Sequence, residues 1–554
     1  MRKLLALSFL ALVAARDAEF DKAKAEFRKA LAEMQARTIH DAADRLADTD
    51  QKAAVDALLD GYGVLATQIK ALWTEKVKWV REKEATGDFK IDMKTNPPTI
   101  PASDVKKYEA YLVAEKSARE AESRIMNVES ARRGIVKALG RFKSDASVKE
   151  LLQEVVAGSS SWQRRAGVAE ALGQMSHAEI PGALAAVVKK DSEPQVRIAA
   201  MDALRELKAN AADVTAALVD QLKSEFWQVK ATAAATIRAL MLKDAVDALI
   251  DALGRSDGRL KAEFNDALVG LTGVDKHGDV PSWKAWWEGN RDAVLKGSYV
   301  LKAGEGASDG PKNGTTFYGI PVTSRSVVFA LDRSGSMLEP SEWDIPKDVA
   351  TGGGGKDVPE IKRAGNRKID IARWQLKRTL AMMPDGAEFN IIFFNHEWVI
   401  LSDKMLKLSA GTRKTAYEFI DKLEPVGGTN IYDPLEKGMA YATAGEMREK
   451  LAKSGIDTIF FLTDGLPNSG QVPLPADILT KVRELNKTKK VKINTVGVFS
   501  APRGVLLAGA PNEATEGGKL LKQLAEESGG KYTSAGSDSK DGTAMPAGAG
   551  KKKP

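Results

Sequence analysis

The sequence predicts a multidomain protein in which an α-helical bundle and an α-solenoid precede an α/β domain built on a doubly wound sheet. Three observations carry this reading. Charged, amphipathic helical periods fill residues 16–127, and a two-helix unit recurs through the middle at intervals of 33, 32, 33 and 31 residues. Two apolar runs, 327–331 and 459–462, then lead into the acids Asp332 and Asp464, as parallel strands buried on both faces do at a ligand-binding edge.

Composition narrows the function classes. The 554 residues are 43% hydrophobic, enough for several cores. The net charge of +7, from 82 basic against 75 acidic residues, is small for this length, and no basic stripe is interleaved with aromatics; nucleic acid is therefore not an expected partner. Cysteine is absent, which excludes disulfides, thiolate zinc sites and cysteine nucleophiles. At the N-terminus Arg2 and Lys3 precede an apolar run over 4–15 that ends in Val13, Ala14 and Ala15, the layout of a secretory signal. The expectation is export to the periplasm or beyond, with residues 1–15 removed and no membrane span in the mature chain.

Over 16–127, Phe20, Phe27, Leu31 and Met34 form one helical stripe, and Ile69, Leu72, Trp73, Val77 and Val80 a second. Pro97, Pro98 and Pro101 break the pattern, and a new helix starts near Asp104 with Tyr108, Tyr111 and Leu112 on it. These stripes are read as the core of a helical bundle.

Across 128–292 the repeat aligns Arg132, Arg165, Arg197, Lys230 and Lys261, each expected near a helix start. Six residues on stand Ala138, Ala171, Ala203, Thr236 and Ala267, each followed by Leu or Ile. Such a unit cannot bury its apolar stripe alone, so the units must stack. The unit from Pro194 to Ala200 is similar to HEAT repeats, which implies a solenoid offering either a concave protein-binding surface or a rigid spacer. Trp283, Trp286 and Trp287, at i, i+3 and i+4, read as the buried face of a capping helix rather than a sugar platform. Residues 293–325 read as a linker because 303–316 is rich in Gly, Ser and Asn.

The α/β domain is placed at 326–534, with strands at 326–332, 389–395, 399–402, 458–464, 491–499 and 531–534. Helices are expected at 369–383, 413–423, 434–444, 478–486 and 518–527. The tail 535–554 is expected to be disordered. Asp332, Ser334 and Ser336 stand on one tight turn at a strand end, where a carboxylate and two hydroxyls make a hard-oxygen half-shell for Mg²⁺, Mn²⁺ or Ca²⁺. Thr429 follows the glycine pair Gly427 and Gly428, and Asp464 ends the second buried strand.

In that order and on those elements, Asp332, Ser334, Ser336, Thr429 and Asp464 match the metal-ion-dependent adhesion site of von Willebrand factor A (VWA) domains, which the chain resembles over about 326–534. The resemblance implies that the three hydroxyls ligate the ion directly while Asp332 and Asp464 act mainly through water. It also implies an open coordination position that takes a carboxylate from a partner protein. Ser334 and Ser336 are both expected to face solvent.

One departure from that pattern is an irregular stretch of about thirty residues, 338–368, directly after the first metal loop. Either it gates the ion, with Glu339, Glu342 or Asp344 as an internal cap and Gly352 to Gly355 as a flexible hinge, or it is a surface insertion without a role. Catalytic alternatives fail on spacing. Lys356 is followed by Asp357 where a phosphate-binding loop needs Ser or Thr, and Ile400 stands where a zinc-protease helix needs its second histidine. The expectation is a non-enzymatic adhesion or protein-binding protein using the metal site, with the solenoid as a second interaction surface. The alternative is an envelope scaffold in which the solenoid binds the partner and the metal only stabilises.

Overall fold

The computed structural model describes residues 2–86, 100–157, 160–302, 306, 315–341, 343, 361–443, 451–453, 455–499 and 515–535, with side chains from residue 15 onward. The side chains of the predicted signal segment, Pro97 and Pro98, Glu342, Asp344, the glycine run 352–355 and the tail from 536 lie outside the described residues. The chain divides into two compact parts, Met1–Gln221 and Leu222–Pro554.

The first part is all helical. Helices α1 (Arg2–Glu33), α2 (Ala36–Asp48), α3 (Lys52–Ala85) and α4 (Val105–Leu139) form the predicted bundle, with α3 and α2 both laid along α4. Its core is mainly aliphatic, with Ile39, Leu46, Leu58, Leu65, Leu72, Ile125 and Ile135 buried beside Phe20, Phe27 and Tyr62. The predicted aromatic stripe differs. Tyr108 and Tyr111 stack on each other with ring centroids 6.5 Å apart and stay half-buried, while Leu112 is exposed, because small alanines at 114, 118 and 121 take the inward face of α4. His40 is structural: its Nε2 lies 2.6 Å from the Ser130 carbonyl, and its ring fills space that any β-carbon at Gly134 would enter.

Helix pairs follow: α5 (Asp145–Ala157), α6 (Trp162–Leu172), α7 (Ile180–Lys190), α8 (Pro194–Glu206) and α9 (Ala212–Gln221). Arg165 and Arg197 stand near the starts of α6 and α8, as the repeat predicts. Arg132 does not, since α4 runs unbroken from Val105 to Leu139 and places it deep inside one long helix. The repeat's basic residue has a physical role in α6: the Arg165 guanidinium holds the Asp191 carboxylate by two bonds of 2.8 and 2.9 Å, tying α6 to the end of α7.

The second part opens with α10 (Trp227–Ala239), a 3₁₀ turn (Lys243–Ala245), α11 (Val246–Gly254), α12 (Gly258–Thr272) and α13 (Val280–Leu295). All three tryptophans of α13 are buried. The Trp283 indole donates to Asn265 and the Trp287 indole to Asp247, both at 2.9 Å, so α13 is a cap stapled to α11 and α12.

A hairpin of β1 (Thr316–Phe317) and β2 (Ile320–Pro321) comes next, inside the stretch read as linker. It is no linker there: Phe317, Tyr318 and Ile320 are buried, and Phe317 packs edge-on against Phe329 and Phe460. Two-residue strands carry too little periodicity to be read from sequence.

The main sheet contains β3 (Ser326–Asp332), β4 (Glu388–Phe394), β5 (Trp398–Ile400), β6 (Leu406–Lys407), β7 (Thr458–Thr463), β8 (Lys492–Gly497) and β9 (Tyr532–Ser534). Its order is β5-β4-β3-β7-β8-β9, with β6 also on β4; β5 and β6 are antiparallel and the other strands parallel. Helices α14 (Lys368–Met382) and α15 (Ala410–Lys422) pack on the face that carries Phe329 and Phe393. On the other face Gly438 of α16 (Tyr432–Ala440) approaches Ile459 and Ile392, and α17 (Pro475–Lys489) and α18 (Glu516–Ser528) complete the layer. The chain leaves β3 to one side for β4 and later returns to its other side for β7. The carboxyl end of β3 is thus a topological switch point, where ligands bind in such sheets.

At the opposite edge of the sheet the last repeat meets the strand starts. Arg259 of α12 bonds Glu263 at 2.7 Å and reaches the Asp457 carbonyl before β7. Glu263 also pairs with Lys492, the first residue of β8, at 3.3 Å. This explains why α10–α13 and the α/β layers form one compact part, which the sequence reading separated at 293–325.

Candidate metal centre

Three loops meet at the carboxyl end of β3. In the first, the Ser334 amide donates to Asp332 Oδ1 at 2.6 Å, bending the chain into a 3₁₀ turn, Gly335–Leu338, that carries Ser336. The second loop is pinned to the first by Gly335 N–H on the Gly427 carbonyl at 3.0 Å and Val426 N–H on the Arg333 carbonyl at 2.9 Å. Gly427 has φ of +77°, and a β-carbon there would strike the His396 ring. The third loop joins through Thr463, whose hydroxyl donates to Asp332 Oδ2 at 2.5 Å, and through Asn468, whose side-chain oxygen accepts the Thr429 amide at 2.8 Å.

This scaffold brings the five predicted residues to one place. Ser336 Oγ donates to Asp464 Oδ1 at 2.7 Å; Ser334 Oγ lies 3.1 Å from Ser336 Oγ and 3.5 Å from the same carboxylate oxygen. Thr429 Oγ1 comes within 3.3 Å of where a β-carbon on Gly465 would stand, so glycine keeps the third loop against the second. The expected exposure differs: Ser334 is buried at 2% and Ser336 half-buried, because the second and third loops close over the turn.

Sequence reasoning missed three contributors. Lys368, the first residue of α14, is 3% exposed along its side chain, and its ammonium donates to Asp464 Oδ2 at 2.7 Å and to Glu339 Oε2 at 2.9 Å. Asn395 binds the Val426 carbonyl at 2.8 Å and Asn468 holds Thr429. A lysine opening a helix and asparagines in turns are common, so none carried a sequence signal. Glu339, one of the three acids weighed as an internal cap for the ion, contacts Lys368.

The base of the insertion is ordered by the same contacts. Ser341 N–H bonds the Asn366 carbonyl, Lys368 N–H bonds the Glu339 carbonyl, and Pro340 bridges Arg367, closing a neck beside the centre. Trp343 stacks on Tyr318 with centroids 4.6 Å apart.

The donor set fits a hard divalent cation. The side-chain donors that Asp332, Ser334, Ser336, Thr429 and Asp464 offer are all oxygen, which suits a hard cation, and among the described residues no group of three or more His, Cys, Asp or Glu gathers to hold a metal ion. Burial, and then the neighbouring Asp464 charge, push the Asp332 carboxyl up to about 7, against the opposing hydrogen bonds from Thr463 and Ser334. Asp332, Ser334, Ser336, Thr429 and Asp464 are the residues that would hold such an ion.

Residues 128–205 and 180–269 match a family model for HEAT repeats. Inter-alpha-trypsin inhibitor heavy chain H4 of Homo sapiens is 26% identical over 204 residues, which cover 35% of this chain and 19% of that protein. Heavy chain H3 of Mesocricetus auratus is 25% identical over 166 residues, covering 30% and 16%. The chain thus spans less than a fifth of the length of either relative. A solved von Willebrand factor type A structure from Catenulispora acidiphila aligns over 39% of each chain at 18% identity, with a TM-score of 0.25.

Proposed function

We propose that this HEAT-repeat and VWA protein is an exported, non-enzymatic binding protein that takes a carboxylate of a partner protein on a divalent ion, Mg²⁺ or a similar hard cation. Repeats joined to a VWA domain support a protein-interaction role. The observation that carries the finer reading is the composition of the loop surface: each loop that supplies ligands also exposes one aliphatic side chain close to them. Leu338 follows Ser336 by two residues, Val426 precedes Thr429 by three, and Leu466 follows Asp464 by two, with exposures of 44%, 56% and 41%. Oxygen donors on loops that also expose aliphatics suit an acidic side chain presented among apolar ones. With three neutral hydroxyls as direct ligands, a bound ion would keep its charge largely available to such a carboxylate. The Ser334 and Ser336 hydroxyls face Asp464 rather than an imidazole, which favours ligand over nucleophile.

The test is retention of envelope proteins by the immobilised full chain in Mg²⁺. A bound partner should elute with chelator and rebind when Mg²⁺ is restored. Leu338→Ser combined with Val426→Ser should weaken that partner about tenfold while leaving ion affinity unchanged. A partner indifferent to both chelator and the double variant would overturn the reading.

Export rests on the N-terminal pattern. Arg16, the first residue expected after cleavage, donates through its guanidinium to the Thr49 carbonyl at 3.0 Å and so caps the end of α2; cleavage before it would keep that tie. N-terminal sequencing of the native protein should begin near Arg16. A chain beginning at Met1 and recovered from the cytosol would contradict export.

A further inference from the structure

We infer that Lys368 and Glu339 form a charge-setting pair at the metal centre: Lys368 is a resident cation that weakens divalent binding, and Glu339, on the neck of the insertion, offsets it. This rests on the proposed metal reading and names how that site is regulated. The Lys368 ammonium is buried and donates to Asp464, itself one of the five metal-site residues. It faces Asp464 Oδ2 while Oδ1 faces Ser336 and Ser334, so the carboxylate is shared between a fixed monovalent cation and the hydroxyl cluster. Beside a divalent ion, an unscreened positive charge a few ångströms away is repulsive, and burial keeps water from damping that repulsion.

Lys368 thus sets one fixed positive charge against the two acids of the centre. Glu339 stands on the solvent side of the pair with its side chain 50% exposed, so it offsets Lys368 only partly. The backbone bonds at 339–341 and 366–368 place this pair at the point where the insertion leaves the domain.

The test is titration of the full chain with Mn²⁺ and Mg²⁺ by calorimetry, with thermal midpoints taken in chelator. Lys368→Met, which keeps the aliphatic stem, should bind Mn²⁺ about tenfold more tightly than the parent and melt lower in chelator, where Asp464 has lost its counter-charge. Glu339→Gln should bind about threefold more weakly. The double variant should match Lys368→Met, since Glu339 acts through the lysine. A merely structural lysine would give weaker binding in Lys368→Met and no opposite sign in Glu339→Gln; that outcome, or unchanged affinity in both, overturns the inference. If Lys368→Met does not fold, the half-exposed Glu339→Gln and the charge-preserving Lys368→Arg decide it, the second expected to bind as the parent does. A folded parent that takes up neither ion would instead refute the metal reading itself.

Discussion

Ser334→Ala combined with Ser336→Ala should abolish calorimetric binding of Mg²⁺ and Mn²⁺, an affinity loss of more than about a hundredfold, while the α/β domain stays folded. Two of the three proposed hydroxyl ligands vanish at once, and neither alanine offers a side-chain oxygen in their place. The fold should survive because the turn is held by backbone groups: Ser334 N–H on Asp332, Gly335 N–H on Gly427 and Met337 N–H on Ser334 are untouched. The stability cost is the Ser336–Asp464 hydrogen bond and the weaker Ser334 contact, about 1–2 kcal/mol. Asp464→Ala should also lose the ion, but it strands the buried Lys368 ammonium and so confuses binding with folding. The serine pair is the cleaner test, and undiminished ion affinity in that variant would remove the proposed centre.

The second large effect is expected at the opposite edge of the sheet. Arg259→Met should destabilise the part Leu222–Pro554 by about 3 kcal/mol, because it leaves Glu263 short of its closest cation and the Asp457 carbonyl without its guanidinium donor. Burial alone would raise the Glu263 carboxyl, but Arg259 and Lys492 outweigh it and hold it below the ordinary value near 4.5. A depressed carboxylate stabilises the fold above its unfolded value and ceases to do so as pH falls through the folded one. Glu263→Gln should therefore cost most at neutral pH, and its deficit against the parent should shrink in acid. Thermal midpoints of both variants against pH measure this; a deficit in Glu263→Gln that does not change with pH would show that the network contributes packing rather than charge. Metal affinity should not move in either variant, since the network lies at the strand starts and the centre at the strand ends.

Much of the α/β domain was legible in the chain because its signals are local. Residues 327–331 are apolar without interruption, so a strand buried on both faces is the economical reading, and the observed strand Ser326–Asp332 keeps those bounds. The same logic found β7. The three tryptophans of α13 announced a buried face through their spacing alone, and all three are buried. Arg165 and Arg197 fell at helix starts because the repeat period records the helix pair itself.

Local pattern thus sufficed for most of the order of elements, the later repeat units, and the acids and hydroxyls at the ends of β3 and β7. Tertiary structure alone decided what those groups touch. Lys368 meets Asp464 across 96 residues, Thr463 meets Asp332 across 131, and Arg259 meets Asp457 across 198. None of these pairs lies on a shared periodicity, and each depends on the register of neighbouring parallel strands and on how a helix end seats against them. Burial of Ser334 and the ordering of Phe317 and Tyr318 followed from the same cause, packing by segments distant in sequence. Local pattern reports which face of an element is apolar; which partner covers that face is set by closure of the whole sheet.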